Sequence, residues 1–258
     1  MYHLIPAGTH LYRVTDIGRT WQDVVSGGGS HFVAGGRYNR VQQRTVYAAT
    51  DPLVSIAENS VHVAIDRWQP RIGGGSLGAQ TAFPAPVPPF ISEHWLWDFT
   101  IDVDMQLVRV ETQPVRAAFN HRLYELFNPC VAYRTTADLA DLVRLHPHPH
   151  NPNAMVDGIL APSVRTPSVH RYIPRQEVLF VPANQLTIPA TVVRNWRMAL
   201  EFRDNTGQGV TNNTRLIDWA RPWFCLSNNA AALPAFPARP NAQAFASGVW
   251  HQVRVKYT

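Results

Sequence analysis

Short apolar runs, rather than long amphipathic ones, dominate the chain. Leu11–Val14 (LYRV) is apolar and β-prone and predicts an opening strand, and Thr45–Thr50 (TVYAAT) predicts a second. After Pro52 the spacing changes. Leu53, Ile56, Ala57, Val61 and Ala64 recur at intervals of three and four, the mark of a helix with one buried stripe. Asp51 supplies its N-cap, and Pro52 fits the first helical position, where a missing N–H goes unnoticed. Alternation in Trp95–Val110 is enough for two strands or a hairpin. Thr136–Arg144 (TADLADLVR) predicts a short helix with an aspartate-bearing polar face. Asp157–Arg165 (DGILAPSVR) reads as a turn, a short strand and a serine after proline, and Glu177–Pro182 as a buried strand. Aromatic-rich strand candidates follow Thr191, and Gly248–Tyr257 alternates as a last strand. The expected class is α+β, a core of short strands with few helices.

Three stretches lack periodicity. Ser26–Tyr38 is glycine-rich with two aromatics and one arginine. Pro70–Phe90 is glycine-rich and then proline-rich, and reads as a long excursion or flap rather than a linker. His146–Asn153 (HPHPHNPN) is a loop by its prolines. Its three histidines invite a metal, but no Cys, Asp or His cluster in sequence completes a tetrahedral set, so a solvated loop is expected. The organisation expected is a catalytic domain over 1–190, with an insertion at about 70–90, and a β-rich C-terminal extension over 191–258 packed on the same domain.

Charge narrows the partners. The chain has 258 residues, of which 16% are charged, and a net charge of +5. Lys256 is the only lysine, so nearly all the positive charge is arginine, the residue suited to forked recognition of phosphate or carboxylate. A phosphate-bearing partner is favoured. The arginines are scattered and no nucleic-acid-binding signature appears, so direct nucleic-acid binding is disfavoured despite a pI of about 9.6. No window reaches 18 apolar residues, and Met1–Gly8 lacks the character of a leader. Cys130 and Cys225 have no motif around them and read as buried thiols in a reducing compartment. A cytoplasmic location, without a membrane, is expected.

The residues with chemical potential lie in separate segments. Arg37 follows Gly35-Gly36, where backbone can approach a ligand and a guanidinium can fork onto phosphate. Tyr47 lies ten residues later in a strand, and Glu58 eleven residues further on the following helix. Ser163 follows the strand of DGILAPSVR. Singly each is weak, since a helix glutamate or an arginine near glycine is usually a solvated surface residue.

Jointly, GGRYN (Gly35–Asn39), VYAATDPLVSIAE (Val46–Glu58) and DGILAPSVR (Asp157–Arg165) resemble the RES domain family, named after its Arg, Glu and Ser residues; LYRV resembles the family's opening strand. The motifs span Leu11–Glu58 and Val131–Val181. Tyr38 stands where tryptophan is commoner, and Ala161 where an aromatic is common. The resemblance implies a fold like that of ADP-ribosyltransferases and a toxin of a toxin–antitoxin module. It also implies NAD⁺ as substrate, cleaved between nicotinamide and ribose by water or phosphate, with no metal and no other cofactor. On this match Glu58, Arg37, Tyr47 and Ser163 are the catalytic residues, and Arg37, Tyr47 and Ser163, with Arg13, hold the NAD⁺. A cognate antitoxin or immunity protein is the implied partner.

The chemistry is compatible. Breaking a pyridinium N-glycosidic bond gives an oxocarbenium-like state that needs a nearby carboxylate, as in glycoside hydrolysis. Nicotinamide leaves without a proton, so no general acid is demanded and no Ser-His-Asp or metal signature is missed. Two alternatives use the same sequence differently: an ADP-ribosyltransferase acting on a protein target, and a basic nucleic-acid-binding protein.

Overall fold

The computed structural model describes residues 2–28, 37–40, 42–52, 54–56, 58–59, 90–118, 120, 134–163, 176–180, 187–204, 225–228 and 251–257. The expected excursion, over residues 70–89, is therefore outside the described residues, as are most of the glycine-rich stretch before Arg37 and Cys130.

Strands β1 (Tyr2–Ile5), β2 (His10–Asp16), β3 (Val46–Ala49), β4 (Phe90–Ile101) and β5 (Met105–Arg109) are joined by β8 (Gly158–Pro162), β9 (Gln176–Phe180), β10 (Ala190–Asp204), β11 (Cys225–Asn228) and β12 (His251–Tyr257). They form one ten-stranded sheet in the order β1-β5-β8-β9-β3-β2-β4-β10-β12-β11. The β5–β8 and β11–β12 pairs are parallel and the other pairs antiparallel. The helices are α1 (Trp21–Val25), α2 (Gln113–Ala118) and α3 (Arg134–Arg144), and residues 52, 54–56 and 58–59 are also helical. The α+β class expected from the sequence is what the structure has.

Alternation along the central strands sends side chains to two cores. Val46, Ala48, Leu107 and Leu160 join Leu11, Phe99 and the α1 residues Val24 and Val25 on one face. Val108, Ile159 and Ala161 join Tyr38, Val115 of α2, and Leu139, Ala140 and Val143 of α3 on the other, with Tyr47 packed against them. Both faces are covered, so β8 is buried at all five positions and its sequence reads as an unbroken apolar run. Burying each Val, Leu, Ile or Phe among them stabilises the fold by roughly 1.5–3 kcal/mol. A capping box starts α1: the Thr20 hydroxyl accepts from the Asp23 amide, and the Asp23 carboxylate accepts from the Thr20 amide at 2.8 Å.

The structure decides one open alternative, adds one strand and amends one expectation. The two strands of Trp95–Val110 exist but do not form a hairpin: β4 pairs with β2 and β10, while β5 pairs with β1 and β8. Partners distant in sequence claim both edges of each. Tyr2–Ile5, which shows no strand signal in the sequence, is an edge strand on β5. The histidine-proline tract is not a plain loop, because β6 (Pro147–His148) pairs with β7 (Asn151–Met155) as a small hairpin of its own. Among the described residues no helix is long and apolar enough to cross a membrane.

Candidate active site

Ser163 stands one residue beyond the end of β8, and only 3% of it is exposed. Alternation from Ile159 and Ala161 would send residue 163 to the same face as Tyr47 and Tyr38. Its hydroxyl donates to Glu58 Oε1 at 2.5 Å. Glu58 belongs to the helical residues that follow β3, whose first turn is fixed by the Ser55 amide donating to the Asp51 carbonyl at 3.2 Å. A serine and a glutamate 105 residues apart in sequence thus meet because β8 and β3 flank the same strand, β9.

Arg37 reaches the same spot from the loop before β3. Its Nη1 donates to the Pro162 carbonyl at 3.1 Å, one peptide unit from the serine that holds Glu58. The guanidinium also lies over the Tyr38 ring, 5.0 Å from its centroid, a cation–π contact that helps hold it in place. Tyr38 is fully buried and anchors the loop in the core.

Tyr47 serves as a strut for that loop. Its hydroxyl accepts from the Tyr38 amide at 3.0 Å and donates to Asn39 Oδ1 at 2.5 Å. Asn39 in turn donates to the carbonyls of Arg40 and Gln43. The sequence places Tyr47 in the site but carries no sign of this bracing role of its hydroxyl. It gives no sign of the part played by α3 either. Thr136 donates its hydroxyl hydrogen to the Arg37 carbonyl, and Arg40 is ion-paired to Asp138 and, at 2.5 Å, to Asp141. Asp141 also accepts from Gln43 at 3.0 Å. Burial opposes ionisation of Asp141, yet the Gln43 and Arg40 hydrogen bonds outweigh it and hold the carboxyl below its usual value. Arg144 donates to Thr45 Oγ1 at 3.1 Å, and burial pushes its guanidinium pKa down against the pull of Asp141 and Tyr47. The aspartate-bearing face of this helix is legible in sequence; that it grips the arginine loop is not.

Arg13 is placed differently. It lies on β2 and lines a cavity of about 160 Å³ with Val14, Thr15, Asp16, Arg19 and Asp23, a lining that includes none of Arg37, Ser163 and Glu58. Among the described residues there is no group of three or more His, Cys, Asp or Glu side chains placed to hold a metal ion. His148 and His150 of the histidine-proline tract do meet, edge to face at 6.0 Å between ring centroids, while His146 bonds Tyr2.

A carboxylate steadied by a buried serine, with a braced guanidinium beside it, can stabilise positive charge at one atom and bind an anion next to it. The fold that carries it is an α+β sheet with helices on both faces. The chain belongs to the RES domain family, whose model matches residues 10–201. No curated protein matches it. Among solved structures it is similar to the crystal structure of the M. tuberculosis MbcT–MbcA toxin–antitoxin complex, at 13% identity and a TM-score of 0.46, over 75% of this chain and 86% of that one.

Proposed function

We propose that the chain is the toxin enzyme of a toxin–antitoxin pair and that it destroys NAD⁺ by cleaving the bond between nicotinamide and ribose. The observation that carries this reading is the Glu58 carboxylate held by Ser163 beside Arg37, in a chain of the RES family. As the C–N bond lengthens, its electron pair leaves with the nicotinamide, and the ribose carbon becomes cationic. Glu58 stabilises that cation and orients the ribose hydroxyls. Ser163, by donating to Oε1, keeps the carboxylate aimed. Arg37 neutralises the diphosphate, and the Tyr47 ring offers its face to the nicotinamide. Water then adds to the ribose carbon and releases a proton, giving ADP-ribose; phosphate in its place gives ADP-ribose 1″-phosphate. Preorganised charge supplies most of the rate, on the order of 3 kcal/mol per essential group. Loss of NAD⁺ inside the cytoplasm is the toxic outcome, and a cognate antitoxin or immunity protein restrains it.

The test is incubation of the purified protein with NAD⁺, with and without phosphate, followed by identification of products. Free nicotinamide with ADP-ribose or its 1″-phosphate is the expected result. Label transferred to a protein instead would mean an ADP-ribosyltransferase, and intact NAD⁺ would overturn the reading.

A further inference from the structure

The arginine loop is gripped from one side by a single helix, α3, through three sets of bonds. Thr136, in the first turn of α3, donates to the backbone carbonyl of Arg37 itself. Asp138 and Asp141, on the next turn, hold Arg40, and Asp141 also holds Gln43. Arg144, in the last turn, reaches Thr45 just before β3. These differ in exposure. The Arg40 pairs are solvent-facing, each partner side chain being between 32% and 47% exposed, and solvated pairs of this kind contribute little. Thr136 is only 5% exposed, so its hydrogen bond is partly shielded from water, where losing such a bond is costlier than at an exposed pair. Its target is the peptide unit of Arg37, whose side chain reaches the Pro162 carbonyl.

We propose that Thr136 is a positioning residue for Arg37: through the Arg37 carbonyl it sets where the guanidinium stands relative to Ser163 and Glu58. It touches no substrate, and its effect on turnover rests on the NAD⁺-cleaving reading, whereas its effect on Arg37 does not. Valine has nearly the shape of threonine without the hydroxyl, so Thr136→Val removes the bond and keeps the buried volume. Thr136→Ser restores the donor.

The direct measurement is ¹⁵N NMR of the Arg37 Nε–Hε group, assigned by its disappearance in Arg37→Lys, in the full chain without substrate. The wild type and Thr136→Ser should show a rigid group, with a high heteronuclear NOE, and Thr136→Val a markedly lower one. An unchanged NOE in Thr136→Val overturns the assignment whether or not the protein acts on NAD⁺. In kinetics, Thr136→Val should lose about tenfold or more of kcat/KM, within the roughly 100-fold that a displacement of about 1 Å can cause, and Thr136→Ser should recover most of it. In an Arg37→Ala background the same Thr136→Val change should cost nothing further. An equal loss in both backgrounds would mean that Thr136 only supports the fold, and would also overturn it. A wild type without NAD⁺ turnover would discard the NAD⁺ reading and leave the NMR comparison to decide.

Discussion

At the scale of single residues, the site divides into groups that carry charge and groups that hold them still. Glu58 and Arg37 carry charge; Ser163, Tyr47 and Thr136 hold. Arg37 and Tyr47 test this division. Arg37→Lys keeps the charge but has no planar fork, so it cannot reproduce the contact with the Pro162 carbonyl and the stacking on Tyr38 together. Steady-state kinetics should show a raised KM and a lowered kcat together, because a misplaced diphosphate also misaligns the scissile bond. Unchanged constants would make Arg37 an ordinary surface arginine. Tyr47→Phe keeps the aromatic face and removes two loop hydrogen bonds. Turnover should fall by about tenfold or more if the loop depends on them, each such bond contributing about 1 kcal/mol. A phenylalanine variant with wild-type kinetics would assign Tyr47 to its ring alone. All four residues of the Arg, Tyr, Glu and Ser set are legible in the sequence, because their motifs are local. Thr136 is not: nothing in TADLADLVR marks one threonine as the partner of a carbonyl 99 residues earlier.

At the scale of elements, local patterns identify strands well and their partners poorly. The LYRV, VYAA, GILAP and EVLF runs all lie in strands, since each is apolar enough for a place within a sheet. Pairing is decided by topology, which is why β4 and β5, neighbours in sequence, lie apart in the sheet. Tyr2–Ile5 is illegible because a four-residue edge strand of mixed burial has no periodicity to show. Helix α3 carries a prediction of its own. The carboxyl of Asp141 titrates below its usual value of about 3.8. Its pairing with Arg40 and Gln43 therefore stabilises the fold fully above that pH and is lost as the pH falls through the lowered value. Because the pair with Arg40 is largely solvated, Asp141→Asn should melt only slightly below the wild type at pH 7, and the gap should close as the solution is acidified past about 3.8. A gap that does not narrow at all as the pH falls below that usual value would mean that the ion pair contributes nothing and that the substitution acts through packing.

At the scale of the whole molecule, one sheet covered on both faces brings together segments that the chain keeps far apart. The RES match runs from β2 into β10, across 10–201, and ends three residues before β10 does. There β10 pairs with β4 along its length. The site itself needs only the β8–β9–β3 portion of the sheet and the helix that clamps its loop. On the proposed function, Glu58, aimed by Ser163, is the charge that makes the nicotinamide–ribose bond breakable. The most direct measurement is the rate of nicotinamide release from NAD⁺ by the wild type and by Glu58→Gln, with melting temperatures taken alongside. Glutamine keeps the shape and can still accept from Ser163, so the two proteins should melt alike, while release should fall by about 100-fold or more, the scale of losing one preorganised group. A glutamine variant that releases nicotinamide at the wild-type rate would contradict the account.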